Sequence, residues 1–141
     1  MQKGKDYIGV GCGAFILNDN DELLLHRRNK APEKGYWSIP GGSLEMFETF
    51  EQAVVREVKE ETDLDVEVVR LVGLCNHIVN IENEEKVHWV TPSYLCKILS
   101  GTAKITEPGK HTEIGWFKLD NLPEDLTITT KKAIRDYDNA K

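Results

Sequence analysis

The chain has 141 residues, of which 40% are hydrophobic and 30% are charged, and its formal net charge is −6 at pH 7. This length suits one domain with a buried core. The acidic balance disfavours broad, sequence-independent binding to nucleic acid. There is no run of about 18 apolar residues and no apolar signal-peptide core, so we expect neither a membrane span nor secretion. The dispersed cysteines indicate buried thiols in a reducing cytoplasm, and they are Cys12, Cys75 and Cys96.

The N-terminal third predicts a β-hairpin followed by a short strand. Residues 7–17 predict a strand with Gly9, Gly11 and Gly13 on one side, which indicates close approach of the backbone to a ligand or a neighbouring element. Residues 18–21 are a turn signal, and residues 22–28 predict the second strand of the hairpin. After a loop over residues 29–36, residues 37–39 predict a short strand that enters a Pro-Gly-Gly sequence.

The central segment predicts the first long helix. Thr49 and Gln52 fit a capping box with Thr49 as the N-cap, so the helix is expected to run from there to about Thr62. Three apolar side chains are expected to share one helix face and pack on a sheet, and they are Val54, Val55 and Val58.

A stripe of carboxylates lies beside that apolar face. Glu57, Glu60 and Glu61 stand at i, i+3 and i+4, so they fall within about 100° of one another on the helix surface. Like charges at this spacing repel one another. A hard divalent cation such as Mg²⁺, which takes oxygen ligands, would relieve the repulsion and provide a receptor for a pyrophosphate.

The C-terminal half predicts a second, longer hairpin and a closing helix. Residues 64–79 and 86–99 predict its strands, with a polar turn over residues 80–85. A loop over residues 105–112 precedes a last strand at 113–119. A helix from residue 126 or 127 to about 137 follows, with Ala133 and Ile134 facing inward. Hairpins with two helices indicate an α/β fold, in which a mixed sheet carries helices on opposite faces.

A long motif places the carboxylate stripe in a fixed context. The spacing Gly-x5-Glu-x7-Arg-Glu-hydrophobic-x-Glu-Glu runs unbroken from Gly42 to Glu61 and resembles the Nudix box of the MutT-type pyrophosphohydrolases. The segments at residues 25–28, 35–42, 114–117 and 121–123 are similar to other landmarks of the family. The resemblance implies one Nudix-type α/β/α sandwich domain with a mixed central sheet over residues 1–141.

The sequence departs from the family pattern at two positions. Asp63 stands where the family has a glycine, and we expect it to end the helix in the left-handed conformation at a cost on the order of 1 kcal/mol. Phe47 stands where relatives often carry glycine, so it is expected either to alter the backbone of the loop or to place an aromatic side chain near the site.

The resemblance also assigns roles by motif position. It implies that Glu57, Glu60 and Glu61 are the catalytic and metal-binding residues, and it leaves open which of them is the general base. A backbone carbonyl of Gly41 or Gly42 is a further expected ligand. Gly42, Glu48 and Arg56 are the structural residues of the box, and Glu48 and Arg56 are expected to form an ion pair.

Further site residues are expected outside the box. The resemblance implies an additional carboxylate from a late loop, for which Glu107 is the first choice and Glu113 the second. Arg28 is expected to contact phosphate, although pairing with a surface acid is an equal alternative. Four aromatic side chains can stack on a nucleobase, with packing inside the core as the competing interpretation, and they are Trp37, Phe47, Trp89 and Trp116.

The expected activity is a Mg²⁺-dependent pyrophosphohydrolase, with Mn²⁺ as a substitute. The expected substrate is a nucleoside triphosphate, including oxidised purine nucleotides, and the products are the monophosphate and pyrophosphate. An ADP-ribose or nucleotide-sugar pyrophosphatase is the alternative, and a non-catalytic nucleotide-sensing module is a third. We expect nucleotide partners but neither nucleic acid nor membrane. The sequence leaves open a homodimer and the number of metal ions, between one and three.

Overall fold

A computed structural model describes residues 1–80 and 86–140, so the predicted turn lies, from residue 81 onward, outside the described part. The described residues form seven strands and two helices. The strands are β1 (Gly9–Leu17), β2 (Glu22–Arg28), β3 (Trp37–Ser38), β4 (Gly41–Ser43), β5 (Asp65–Asn80), β6 (Lys86–Ser100) and β7 (His111–Lys118). The helices are α1 (Phe50–Thr62) and α2 (Ile128–Asn139).

The strands form one mixed sheet, as expected. β1 runs parallel to β6, whereas β1–β2, β5–β6 and β2–β7 are antiparallel. The β5–β6 pair is the long predicted hairpin, with Asp65 opposite Ser100 at one end and Asn80 opposite Lys86 at the other. β7 begins at His111, two residues before the predicted start, because its pairing with β2 continues to Arg28 beyond an irregularity in register.

The first hairpin opens into a gap that forms the site. Leu17 pairs with Leu23 beside the predicted turn. Farther along, β3 pairs with β2 and β4 pairs with β1, so the segment from Trp37 to Ser43 is wedged between the two strands of the hairpin. β4 was not predicted, because a three-residue Gly-Gly-Ser segment carries no alternation of apolar and polar side chains.

Two hydrophobic cores lie on opposite faces of the sheet. Ala14 and Ile16 of β1 pack with α1, whereas Phe15 between them packs with α2, as strand alternation requires. Val54 and Val58 of α1 are buried. Val55 is 38% exposed, so its predicted inward position is wrong: the buried face of α1 is narrower than the apolar pattern indicated.

Both ends of α1 form as the sequence predicts. The Thr49 hydroxyl accepts from the backbone N–H of Gln52 at 3.1 Å, and the Gln52 side chain accepts from the Thr49 N–H at 2.9 Å, which completes the capping box. Asp63 ends the helix in the left-handed conformation with φ of 65°, and its N–H donates to the Lys59 carbonyl. The described residues contain no helix that is both long enough and apolar enough to cross a bilayer.

Candidate active site

A cavity of about 480 Å³ lies where the segment from Trp37 to Ser43, called the wedge below, separates β1 from β2. Its volume is in the range typical of small-molecule sites. Strand β1, the wedge and helix α1 contribute to its wall, and the last of these supplies Glu57 and Glu61. Three cations line the same cavity, and they are Arg28, Lys30 and Lys110. The cavity therefore combines carboxylates for a metal ion with cations for phosphate.

Glu61 is the buried carboxylate of the site. The residue is 8% exposed, and its Oε1 accepts a hydrogen bond from the backbone N–H of Gly41 at 2.9 Å. Burial raises the pKa of Glu61 to about 8, the Gly41 hydrogen bond opposes this rise, and the charges of Glu57 and Glu107 add to it. The charge of Lys110 opposes the rise as well, but it does not offset the cost of burying the Glu61 carboxylate.

Glu57 lies against the backbone of Gly42. A Cβ atom built on Gly42 would overlap the Glu57 carboxyl group, so a larger residue there would force this carboxylate to move. Burial raises the pKa of Glu57, and the hydrogen bond from Arg56 partly offsets the rise. The predicted structural role of Gly42 therefore has a physical basis, which is the space that it leaves for this side chain.

Arg56 connects the box loop to the helix. Its Nε and Nη2 donate to the two carboxylate oxygens of Glu48 at 2.7 and 2.9 Å, which is the predicted ion pair in bidentate form. Nη2 also donates to the Ser43 carbonyl at 3.1 Å. Hydrogen bonding to Arg56 lowers the pKa of Glu48 to about 2. Nη1 reaches Glu57 at 2.9 Å and Glu60 at 3.3 Å, so one guanidinium partly neutralises the carboxylate stripe.

Glu60 differs from the other two carboxylates of the stripe. Its side chain is 54% exposed and does not line the cavity, although it shares the Arg56 contact. The stripe therefore presents two carboxylates to the cavity and one to its outer edge.

The loop before β7 brings Glu107 towards the site. Glu107 raises the pKa of Glu61 through its charge, and its carboxylate accepts from the Lys110 ammonium at 2.9 Å. Lys110 itself lines the cavity. Glu113, the second choice, instead pairs with Arg27 at 2.9 Å and does not line the cavity. The geometry accordingly favours Glu107 as the late-loop carboxylate.

Arg28 lies inside the cavity, as its predicted phosphate contact requires. Its Nε donates to the Pro32 carbonyl at 2.8 Å, and burial lowers its pKa against the charges of Glu33 and Glu61, which raise it. The side chain of Arg28 is held by backbone carbonyls, so the geometry does not favour the alternative prediction that Arg28 pairs with a surface acid.

Phe47 is not brought to the cavity. Its side chain is 98% exposed, its φ is 68°, and it is absent from the cavity wall. The predicted substrate contact is therefore not supported by the geometry. The left-handed backbone conformation of Phe47 is one that glycine adopts without strain.

Two histidines that the sequence analysis left aside form the floor beside Glu61. His26 and His111 are buried and stacked, with ring centroids 3.5 Å apart and an angle of 16° between the planes. His111 Nε2 lies 4.0 Å from Glu61 Oε2, and burial lowers the pKa of both imidazoles. A ring nitrogen of each histidine and a Glu61 carboxylate oxygen lie within 4.8 Å of one another, a grouping that could hold a metal ion, and Nδ1 of both rings is buried without a hydrogen-bond partner. No sequence spacing links residues 85 positions apart on paired strands.

The donor set fits a hard divalent cation. Glu57 and Glu61 offer carboxylate oxygens to one cavity, Glu60 borders it, and Glu107 acts on Glu61 through space. Burial and mutual repulsion, which raise the pKa of Glu61, are the conditions that a bound cation reverses. Gly41 contributes its N–H to Glu61, whereas its predicted carbonyl ligand stays a prediction.

Comparison with known proteins agrees with this geometry. A family model described as the NUDIX domain matches residues 8–137. The chain belongs to the Nudix family. The Nudix chain is 36% identical over 128 residues to a protein from Methanocaldococcus jannaschii named ADP-ribose pyrophosphatase, covering 91% of this chain and 72% of that protein.

Solved structures and a mammalian relative extend the comparison. A MutT NUDIX hydrolase from Burkholderia pseudomallei is 40% identical and superposes with a TM-score of 0.84, covering 93% of this chain and 98% of that one. A mouse protein named 8-oxo-dGDP phosphatase is 30% identical over 116 residues. The match covers 80% of this chain but 33% of the mouse protein.

The predicted family, fold class and enzyme class are thereby confirmed. The chain is a Nudix hydrolase that acts on phosphoanhydride bonds, and its mixed sheet with two helices is the fold of its structural neighbours. Nudix enzymes act on nucleotide substrates and use divalent metal ions, which agrees with the carboxylates and cations of the cavity.

Proposed function

We propose that this Nudix hydrolase cleaves a nucleoside triphosphate, including oxidised purine nucleotides, to the monophosphate and pyrophosphate. The observation that carries the proposal is the set of three cations facing the carboxylates, which are Arg28, Lys30 and Lys110. A triphosphate presents more negative charge to such a set than a diphosphate diester does. Two of the cations have fixed surroundings, because Arg28 is held by the Pro32 carbonyl and Lys110 by Glu107.

Each group of the site has a proposed task. Glu57, Glu60 and Glu61 hold Mg²⁺, or Mn²⁺ as a substitute, with Glu107 and the Gly41 carbonyl as further proposed ligands. Bound divalent ions neutralise phosphate charge and lower the pKa of a bound water. Glu57 and Glu61 are the proposed general-base candidates, since both line the cavity. The Gly41 N–H fixes the orientation of Glu61, and Arg28 orients the phosphate chain.

A second candidate substrate class is ADP-ribose or a nucleotide sugar. The name of the archaeal relative favours it, and so does a Streptococcus suis structure described as an ADP-ribose pyrophosphatase, which is 28% identical with a TM-score of 0.68. In this case the hydroxyl groups of Ser38 and Thr91 in the cavity wall would contact the sugar.

A nucleotide panel separates the two classes. The protein is incubated with nucleoside triphosphates, 8-oxo-dGTP, ADP-ribose and UDP-glucose in Mg²⁺, in Mn²⁺ and in chelator, and products are resolved by anion-exchange chromatography. We expect metal-dependent release of pyrophosphate and monophosphate from a triphosphate. Preferential formation of AMP and ribose 5-phosphate would favour the second class. Lack of turnover of every compound in either metal would refute the proposed function.

Two further properties remain proposals. A cytoplasmic location and a homodimer agree with the sequence, and fractionation and sedimentation velocity test them directly.

A further inference from the structure

A second cavity, of about 500 Å³, adjoins the active-site cavity. Trp89 and the segment of Lys30, Ala31 and Pro32 line both cavities, so these residues form the boundary between them. The boundary belongs neither to the Nudix box nor to the carboxylate stripe. Lys30 is one of the three cations of the proposed phosphate site, whereas the proposed chemistry gives Trp89 and Ala31 no task.

The indole of Trp89 lies on backbone that has no side chains. Gly9 is the register partner of Trp89 across β1 and β6, and a Cβ atom built on Gly9 would lie 2.6 Å from both Cδ2 and Cε3 of the ring. A Cβ atom built on Gly4 would overlap Nε1 of the same indole. The Gly4 carbonyl accepts from the His88 N–H at 2.7 Å, which keeps this backbone beside β6. Both glycines therefore leave the space that the indole occupies, and the ring forms part of both cavity walls.

The segment on the other side of the boundary is held in place. Arg28 Nε donates to the Pro32 carbonyl at 2.8 Å, and Arg28 Nη2 lies 3.5 Å from the Lys30 carbonyl. The same arginine thus supports this segment and lines the catalytic cavity. A flat indole and a proline-containing segment along one boundary suit a planar ring between them, because aromatic faces stack on planar groups.

We propose that Trp89 is the surface on which the nucleobase of the substrate stacks, at the boundary formed with Ala31 and Pro32. The proposal rests on the proposed function, since it requires a nucleotide whose phosphates reach Glu57 and Glu61. Lys30 lies on the same segment, so in this arrangement it would contact the phosphates next to the base. Lys3 and Lys5 line the second cavity with Lys30, so positive charge borders the base site in a chain with a net charge of −6.

Binding can be measured apart from catalysis. The chain has three tryptophans, so the variant Trp37→Phe/Trp116→Phe leaves Trp89 as the sole tryptophan reporter. We expect its fluorescence to be quenched by a nucleoside monophosphate but not by ribose 5-phosphate, which carries the same phosphate without the base. Equal responses to the two ligands would overturn the proposal, whatever the activity of the enzyme.

Kinetics provide the second test. Trp89→Leu should raise KM by between about 5-fold and 150-fold, the range for loss of one base–aromatic stack, with kcat within about two-fold of the parent value. Trp89→Phe should restore most of the affinity. Ala31→Leu approaches the boundary from an exposed position, so it should raise KM without disturbing the core. Trp116→Phe on β7 is the matched control, because Trp116, a stacking candidate by sequence, lines neither cavity.

The two hypotheses fail in different ways. Absence of turnover on the whole nucleotide panel refutes the proposed function, while the quenching comparison still tests the base site. Turnover with the KM of Trp89→Leu unchanged, in a variant whose circular dichroism and melting temperature match the parent, refutes the stacking proposal alone.

Discussion

Replacement of the buried carboxylate Glu61 by its amide isostere separates metal binding from folding. In the metal-free protein, burial raises the pKa of Glu61 from 4.5 to about 8. Between these values the folded state binds more protons than the unfolded state, so the free energy of unfolding falls as pH rises through this window. At 1.36 kcal/mol per pKa unit the loss has an upper limit of about 5 kcal/mol. Glu61→Gln keeps an oxygen acceptor for the Gly41 N–H and removes the titration.

We therefore expect opposite effects on stability and activity. In chelator at pH 8.5, Glu61→Gln should be more stable than the parent by several kcal/mol, whereas the two should be similar at pH 5. In Mg²⁺ the variant should lose activity by about 100-fold or more, because a charged ligand is missing at the reacting phosphates. Added Mg²⁺ should stabilise the parent at pH 8.5 and leave the variant unchanged.

Urea unfolding at both pH values, with and without Mg²⁺, measures the first effect, and steady-state hydrolysis of the preferred nucleotide measures the second. Glu51→Gln, at an exposed position in the first turn of the same helix, is the matched control. The reasoning is refuted if the parent and Glu61→Gln show the same dependence of stability on pH. Full activity of the variant would refute the metal assignment.

Three other variants test neighbouring features. Gly42→Ala should lower kcat by at least 10-fold, since the new methyl group displaces the Glu57 carboxylate, as steady-state kinetics will measure. Arg56→Lys should destabilise the fold by about 2 kcal/mol in urea unfolding, because an ammonium cannot make the bidentate contact with Glu48. Asp63→Gly should increase the free energy of unfolding by about 0.5–1 kcal/mol, because glycine adopts φ of 65° without strain. The melting temperature should therefore rise slightly.

Each of these has a control or a contrary outcome. Gly109→Ala is the control for Gly42→Ala, because a Cβ atom built at Gly109 meets no atom within 4 Å. Arg27→Lys is the control for Arg56→Lys, since it changes an exposed ion pair with Glu113 that has a single contact. A lower melting temperature for Asp63→Gly would mean that the ion pairs of Asp63 with Lys59 and Lys104, at 3.3 and 3.4 Å, outweigh the relief of backbone strain.

Local sequence signals predicted the helix and its boundaries. The capping box at Thr49 and the carboxylate stripe follow from residue spacing within one segment of the chain, because spacing fixes the geometry of partners that are close in sequence. The Glu48–Arg56 pair and the left-handed end of the helix at Asp63 were expected from the resemblance to the Nudix box.

Features that depend on distant contacts were not predictable. The stacked pair of His26 and His111 exists because β7 pairs with β2, and the residues themselves carry no spacing signal. Strand β4 forms because β1 offers it a hydrogen-bonding edge. The outward position of Phe47 depends on a backbone conformation that residue type does not determine. Val55 is exposed because the sheet covers less of α1 than its apolar pattern allows.

The ion pairs of Arg56 bear on how the enzyme acquires its metal ion. The guanidinium contacts Glu48, Glu57 and Glu60, so the helix carries its own counter-charge. We expect the polypeptide to reach its native shape in a compartment depleted of magnesium and to acquire the ion afterwards. Loading would then exchange a tethered cation for a diffusible one at Glu57, which makes ion availability a control on turnover.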